Sequence, residues 1–411
     1  MSNRHLPVRP DLQQLRHQAK DLLRAFRQGD PTAIEDLRKH GPNPTEPANV
    51  KLAHAQLALA RSYGVRTWPR LVLACKVIDA IWEDRSDELR DLVIKHPYLL
   101  DEMARGTDSC NWGPPMTYAA NLGRDRIIEV LRALGAKDIV WAMGRAVLQG
   151  QIDTARKLHA MGARPPRGSV MGPAETQNGE GMEYLLELGG ELCDGEGDPL
   201  APVALVLETY CRHPAGKHRC LELFAEHGIE FPDTPVMAVH RGRIDLLETH
   251  LRRDPNLLAR TFSHQEIYPP ALGCHADESL ALTGTPLAGA TLLHLCVDYG
   301  ELEMAQWLLA HGMDANVKAA VDANGFGGHT ALFGCVIRCG LLRTEALTRL
   351  LLDHGANPNV RASLRKELRG VDDETMHEYR NVTPLEWGRQ FHDQGFVDSA
   401  ATKLIAERGG I

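Results

Sequence analysis

The chain has 411 residues, only 5% of them aromatic, and a formal net charge of −8, which excludes the general basic footprint of a nucleic-acid binder. No stretch approaches the roughly 18 uninterrupted apolar residues of a membrane span, and the start, Met1-Ser-Asn-Arg-His-Leu-Pro7, has no apolar core of a secretory signal. The charge is uneven: residues 1–75 hold 12 Lys/Arg against 6 Asp/Glu, a net of +6 that leaves −14 for the remainder. A solvated helix surface accounts for that basic head more simply than an acidic docking partner read by Arg16, Lys20, Arg24 and Arg27.

In chain order, Leu12, Leu15, Ala19, Leu22, Leu23 and Phe26 fall at helical spacing and predict an amphipathic helix. A second helix is expected at 31–39 and a third at 48–63, ending at Gly64. Thr67-Trp-Pro opens a fourth. A degenerate helix pair follows over Val77–Leu92.

Repeats come next. Gly135, Gly162 and Gly189 recur at an interval of 27, each after a short apolar helix, and each suits the left-handed residue that ends a helix. Their first-helix partners are Met116–Gly123 and Met143–Gly150. Ala204–Gly228 reads as a further unit with a longer linker at His213-Pro-Ala-Gly216. Thr234-Pro-Val-Met-Ala-Val-His-Arg-Gly242 with Leu246–Leu251 is another. Thr383-Pro-Leu-Glu-Trp-Gly-Arg389 opens a last unit, and Ala400–Ile405 closes the stack. Thr and Pro suit the cap and first turn of a helix.

Two segments align with each other. Thr291-Leu-Leu-His-Leu-Cys-Val-Asp-Tyr-Gly300 leads to Trp307-Leu-Leu-Ala-His-Gly-Met-Asp-Ala-Asn316. Thr330-Ala-Leu-Phe-Gly-Cys-Val336 leads to Leu350-Leu-Leu-Asp-His-Gly-Ala-Asn-Pro-Asn359. Both resemble the ankyrin repeat, whose pattern runs T-P-L-H-x-A-A and then L-L-x-x-G-A-x-x-N. The resemblance covers residues 77–405 and is clearest at 289–360. It implies an all-α chain, with short β-hairpin fingers allowed: an ankyrin-repeat solenoid of about eight helix pairs, some degenerate, behind an N-terminal helical bundle. The expected division is 1–75 for the helical module and 76–405 for the solenoid.

The run Asp11-Leu-Gln-Gln-Leu-Arg-His-Gln-Ala-Lys-Asp-Leu-Leu-Arg24, with Leu57–Trp68, looks like the module that precedes ankyrin repeats in some bacterial proteins. That likeness implies a bacterial source and a cytoplasmic compartment.

Nine scattered cysteines read as core thiols rather than a disulfide framework, with Cys296 and Cys335 at buried small-residue positions of the repeat. Cys335 and Cys339 are expected on one helix face. His294 takes the His position of the repeat, which bonds neighbouring loop backbone in ankyrin proteins. His227, His311 and His354 each precede a helix-ending Gly and should cap carbonyls. His213 and His218, between Cys211 and Cys220, match no zinc spacing. No metal or cofactor is expected.

Three segments exceed what a helix-pair stack needs: 259–289, 317–329 and 361–382. All sit in finger positions, which project from one edge, so they should meet over one patch. Its candidates are His264, His275, Asp277, Glu278, Phe326, His329, Arg361, Arg365, His377, Glu378 and Arg380, with Asp372 nearby. His beside carboxylate suits a general base, and Arg suits an anion clamp. Solvated, salt-bridged fingers would carry the same residues. Two functions follow. The first is a non-enzymatic adaptor that binds an unidentified protein partner through its concave face and fingers. The alternative is a small-molecule or enzymatic site built from the finger residues. No nucleic acid and no membrane is expected as partner.

Overall fold

The computed structural model describes residues 6–42, 49–103, 112–278, 282–340, 342–371 and 373–411. Asp372 and Cys110 lie outside the described residues, as do the first residues of the chain and the start of the expected third helix. Two compact units divide the chain, Met1–Pro165 and Pro166–Ile411.

In the first unit the apolar spacing of the N-terminus produces the helix Leu12–Arg27, started by Asp11, whose carboxylate accepts the Gln13 and Gln14 amides. Pro31–His40 follows, with Asp30 accepting from Ala33 and Pro31 in the first turn, where its missing N–H costs nothing. Leu52–Ser62 and Trp68–Trp82 complete four helices around Leu15, Ala19, Leu59, Leu71 and Cys75. The fourth pairs with Ser86–Lys95, and this pair packs on Pro115–Asn121 and Asp125–Ala133. Ile139–Leu148 and Ile152–Ala160 form the next pair. Gly135 and Gly162 take positive φ (102° and 109°), which supplies the expected helix ends.

The second unit stacks like on like. The first helices Leu292–Tyr299, Ala331–Val336 and Pro384–Gln390 pack successively on one another. The second helices Leu302–Ala310, Glu345–Asp353 and Ser399–Glu407 do the same alongside. Met171–Glu175, Ala201–Glu208 and Pro235–His240 precede them as first helices, each with its partner. No single pair closes its own apolar face, so one core runs through the stack, from Val203 and Phe224 through Leu295 and Phe333 to Trp387. Thr-Pro starts act as expected: the Thr234 hydroxyl accepts the Met237 amide at 3.2 Å, and Thr383 exchanges two bonds with Glu386. Strands are few among the described residues: β1, Ala362–Lys366, pairs antiparallel with β2, His377–Val382.

Two local expectations are corrected. His213-Pro-Ala-Gly216 is not a linker, because Pro214 begins the helix Pro214–Glu226, a first-turn position proline tolerates. Cys335 and Cys339 do not share a helix face. The helix Ala331–Val336 stops because Ile337 turns extended and bridges Val397, while the Asp398 amide takes the Val336 carbonyl at 2.8 Å.

Candidate functional site: the finger groove

The three long fingers are built differently. The first, 259–289, carries two short helical turns, and its turn His264–Ile267 starts at a reciprocal cap between Ser263 and Glu266, to which Arg260 is paired at 2.7 Å. The second, 317–329, closes on Asp322, whose carboxylate accepts the Asn324 and Phe326 amides at 2.8 and 2.9 Å. Those bonds hold the Asp322 carboxyl below its usual range, with Arg365 adding to the effect. The third is the β1–β2 hairpin.

Main-chain bonds join the fingers edge to edge. The Ala320 amide donates to the Gly289 carbonyl at 2.8 Å, and the Gly327 amide donates to the Ser363 carbonyl at 2.7 Å. A groove of about 350 Å³ opens where they meet, lined in part by His264, Glu278, Phe326, His329 and Arg365. It adjoins a second hollow of about 270 Å³ lined by Asp277, Glu278, Arg365, Lys366 and Met376.

Six of the predicted residues therefore line one surface: His264, Asp277, Glu278, Phe326, His329 and Arg365. Arg380 reaches the edge of this surface over Phe326, and the other four stand apart from it. The exposed His275 takes the Glu208 carboxylate at 2.8 Å through Nδ1 and at 2.7 Å through its amide. Arg361 is tied to Glu386 at 3.0 Å and to the Asn381 carbonyl. His377 stacks on His392 at 4.1 Å and meets Asp373 at 2.9 Å. Glu378 pairs with Arg380 at 2.9 Å. The Arg380 and Arg365 guanidiniums both lie over the Phe326 ring, at 4.4 and 5.1 Å from its centre. Arg365 also holds Asp322 at 2.8 Å.

The histidines thus sit in separate environments. His329 is 1% exposed, and neither ring nitrogen has a partner in hydrogen-bonding geometry, although the Pro286 carbonyl faces the ring. Burial pushes it down to about 3, and neighbouring His294 adds to that. His294 does what its position implies: its Nε2–H donates to the His329 carbonyl at 3.0 Å, while Nδ1 accepts from the Thr291 hydroxyl at 2.9 Å. His227, His311 and His354 each bond the carbonyl four residues back at 2.8–2.9 Å, capping their helices as expected.

Sequence reading missed a buried charge network beneath the first finger. Arg212 pairs with Asp298 at 2.8 Å, and Lys217 pairs with Glu301 at 2.8 Å. The two cations lie 4.7 and 4.2 Å from the Tyr299 ring. His240 stands beside Tyr299, its Nε2 donating to the Ile267 carbonyl at 2.9 Å. No spacing rule marks such pairs, since the partners come from distant units. The one available signal is Asp298 at the end of the largely apolar run Leu292–Val297. Also missed was Lys366, at the junction of the second hollow with a separate apolar pocket.

A family model of ankyrin repeats, in three copies, matches residues 211–362. Among solved structures the chain is similar to the crystal structure of the human ASB11 ankyrin repeat domain, at 15% identity over 72% of this chain and 98% of that one, with a TM-score of 0.25. No curated protein matches the chain. No described helix is long and apolar enough to cross a membrane. The protein is a mostly helical chain that carries ankyrin repeats over residues 211–362.

Proposed function

We propose that this protein is an interaction scaffold that holds one protein partner through the joined fingers 259–289, 317–329 and 361–382 and the first helices behind them. The observation that carries the reading is the pair of main-chain bonds, Gly289–Ala320 and Gly327–Ser363, which make three insertions one preformed surface. A surface ordered before binding loses little entropy on docking. Its groove is flanked by two exposed apolar side chains, Val321 at 62% and Met376 at 52%, which a docked partner would remove from water. Ankyrin repeats are in general protein-binding modules, and a bacterial, cytoplasmic setting fits the N-terminal likeness. The spread of His275, His329 and His377 over three environments supports a scaffold above a catalytic centre, because a general base needs its carboxylate and substrate within reach.

The test is an affinity capture with the tagged full chain from its own cell lysate, quantified by mass spectrometry, in parallel with Val321→Asp and Met376→Asp. A single protein retained near stoichiometry by the unaltered chain and lost with either variant supports the reading. Retention of nothing, or retention indifferent to both substitutions, overturns it.

A further inference from the structure

Beside the finger groove, and distinct from it, lies a pocket of about 220 Å³ whose walls are mainly apolar. Leu282, Ile337, Leu368, Val371 and Phe396 form its sides, and Tyr210 stands exposed at its rim. Among the described residues, four charged side chains border it: Arg338, Lys366, Arg369 and Glu367. Arg369 is matched with Glu367 at 3.4 Å, and Arg338 is spent on the Gly395 carbonyl at 3.0 Å. Lys366 is different. Among the described residues its ammonium has neither a hydrogen bond nor an ion pair, and it stands in the wall that the pocket shares with the second, 270 Å³ hollow beside the groove. An apolar hollow with one unspent cation at its mouth is the arrangement that holds an apolar body and fixes its anionic end.

We infer that this pocket binds a small apolar monocarboxylate, its hydrocarbon or aromatic body among Leu282, Ile337, Leu368, Val371 and Phe396 and its carboxylate on the Lys366 ammonium. The size of the hollow limits the body to roughly ten heavy atoms, so a fatty acid of ordinary length is excluded while a short branched or phenyl-bearing acid fits. The net positive border rejects amines. Burial lowers the affinity of Lys366 for its proton, with Asp298 and Cys339 pulling the other way, so the site lacks the counter-charge that a bound carboxylate would supply. The nearest buried carboxylate, Asp298, is already held by Arg212 at 2.8 Å and by the Gly284 amide at 2.7 Å. Leu282 belongs to the first finger and Lys366, Leu368 and Val371 to the third, but acid binding in the pocket requires no protein partner on them.

Isothermal titration of phenylacetate, hexanoate and phenylacetamide into the full chain tests this. Saturable binding of an acid at about 1 mM or tighter is expected, with the amide at least tenfold weaker, roughly the loss of one charge-assisted bond. Lys366→Met should weaken the acid about tenfold or more, while Lys366→Arg retains it. Should Lys366→Met fail to fold, reductive methylation of the unaltered protein decides the matter: phenylacetate must protect Lys366, located by mass spectrometry. Absence of saturable acid binding up to about 10 mM, equal binding of acid and amide, or an unprotected Lys366 each overturns the inference.

Discussion

The Lys217 ammonium meets the Glu301 carboxylate at 2.8 Å with side-chain exposures of 1% and 5%, so each is the other's chief compensation for lost water. His218 adds a second contact to the same carboxylate at 3.0 Å. Burial, the largest single effect, would raise Glu301, but Lys217 and His218 together outweigh it and the net direction is down. Replacing one partner leaves a buried charge unmatched. Glu301→Gln should therefore lower unfolding stability by about 3–5 kcal/mol, whereas the double change Lys217→Met with Glu301→Leu should be close to neutral. Urea unfolding of the three proteins checks both statements. A loss under about 1 kcal/mol for Glu301→Gln would mean that water reaches Lys217.

A pH dependence follows from three buried imidazoles. Burial pushes His240 to about 3, His294 to about 4 and His329 to about 3. In the unfolded chain each returns to about 6.5, so the unfolded state binds protons that the folded state refuses. Their contribution is complete above about 6.5 and is lost as pH falls from there toward 4 and 3, at about 1.4 kcal/mol per pH unit for each histidine. Urea midpoints at pH 7 and pH 5 should show the decline. His329→Leu removes one proton from the slope and, since among the described residues only the Pro286 carbonyl faces the ring and outside good hydrogen-bonding geometry, should leave the protein as stable or more stable at pH 5. A slope unchanged in that variant would assign the decline to other groups.

The buried thiols give a simpler measurement. Burial pushes Cys75, Cys220 and Cys335 up to about 12 and Cys339 to about 11. At pH 8 the reactive thiolate is then on the order of one part in a thousand or less. A chromogenic disulfide reagent should leave these four untouched in the native state and titrate them on unfolding. Fast native labelling at any of them would place that residue at an exposed or readily opened site.

What could be read in advance follows the range of the interaction. The helix from Leu12 to Phe26, the Thr-Pro starts at 234 and 383, and the caps of His227, His311 and His354 depend on residues within about four positions, so periodicity and cap chemistry were enough. The helix end at Val336 was not legible, because it is imposed by Val397 and Asp398 from the last unit. The candidate site divides in the same way. That the fingers occupy one edge follows from the repeat, and His264, Phe326, His329 and Arg365 do line one groove. Which carboxylate each histidine finds does not follow. Glu208 reaches His275 from the end of the helix Ala201–Glu208, and Asp373 reaches His377 before Glu378 can.

Gly327 offers the sharpest test of the joined fingers. Its φ is +116°, and a Cβ placed there would stand 1.9 Å from the Ala320 carbonyl oxygen, a main-chain atom that cannot swing aside. The same residue donates to Ser363 and so links the second finger to the third. Gly325, two residues earlier, has φ +82° but open space around its Cβ position. Gly327→Ala should thus cost about 1–3 kcal/mol through strain and clash together, and Gly325→Ala about 1 kcal/mol from φ alone. Hydrogen exchange distinguishes them more finely. Gly327→Ala should speed exchange at the residue 327 amide and at Asp322, whose amide donates to Phe326 at 2.7 Å, and leave Leu292–Tyr299 protected. Gly325→Ala should leave the bond to Ser363 intact. Equal exchange in the two variants would show that the finger edge opens freely in solution and does not present a preformed surface.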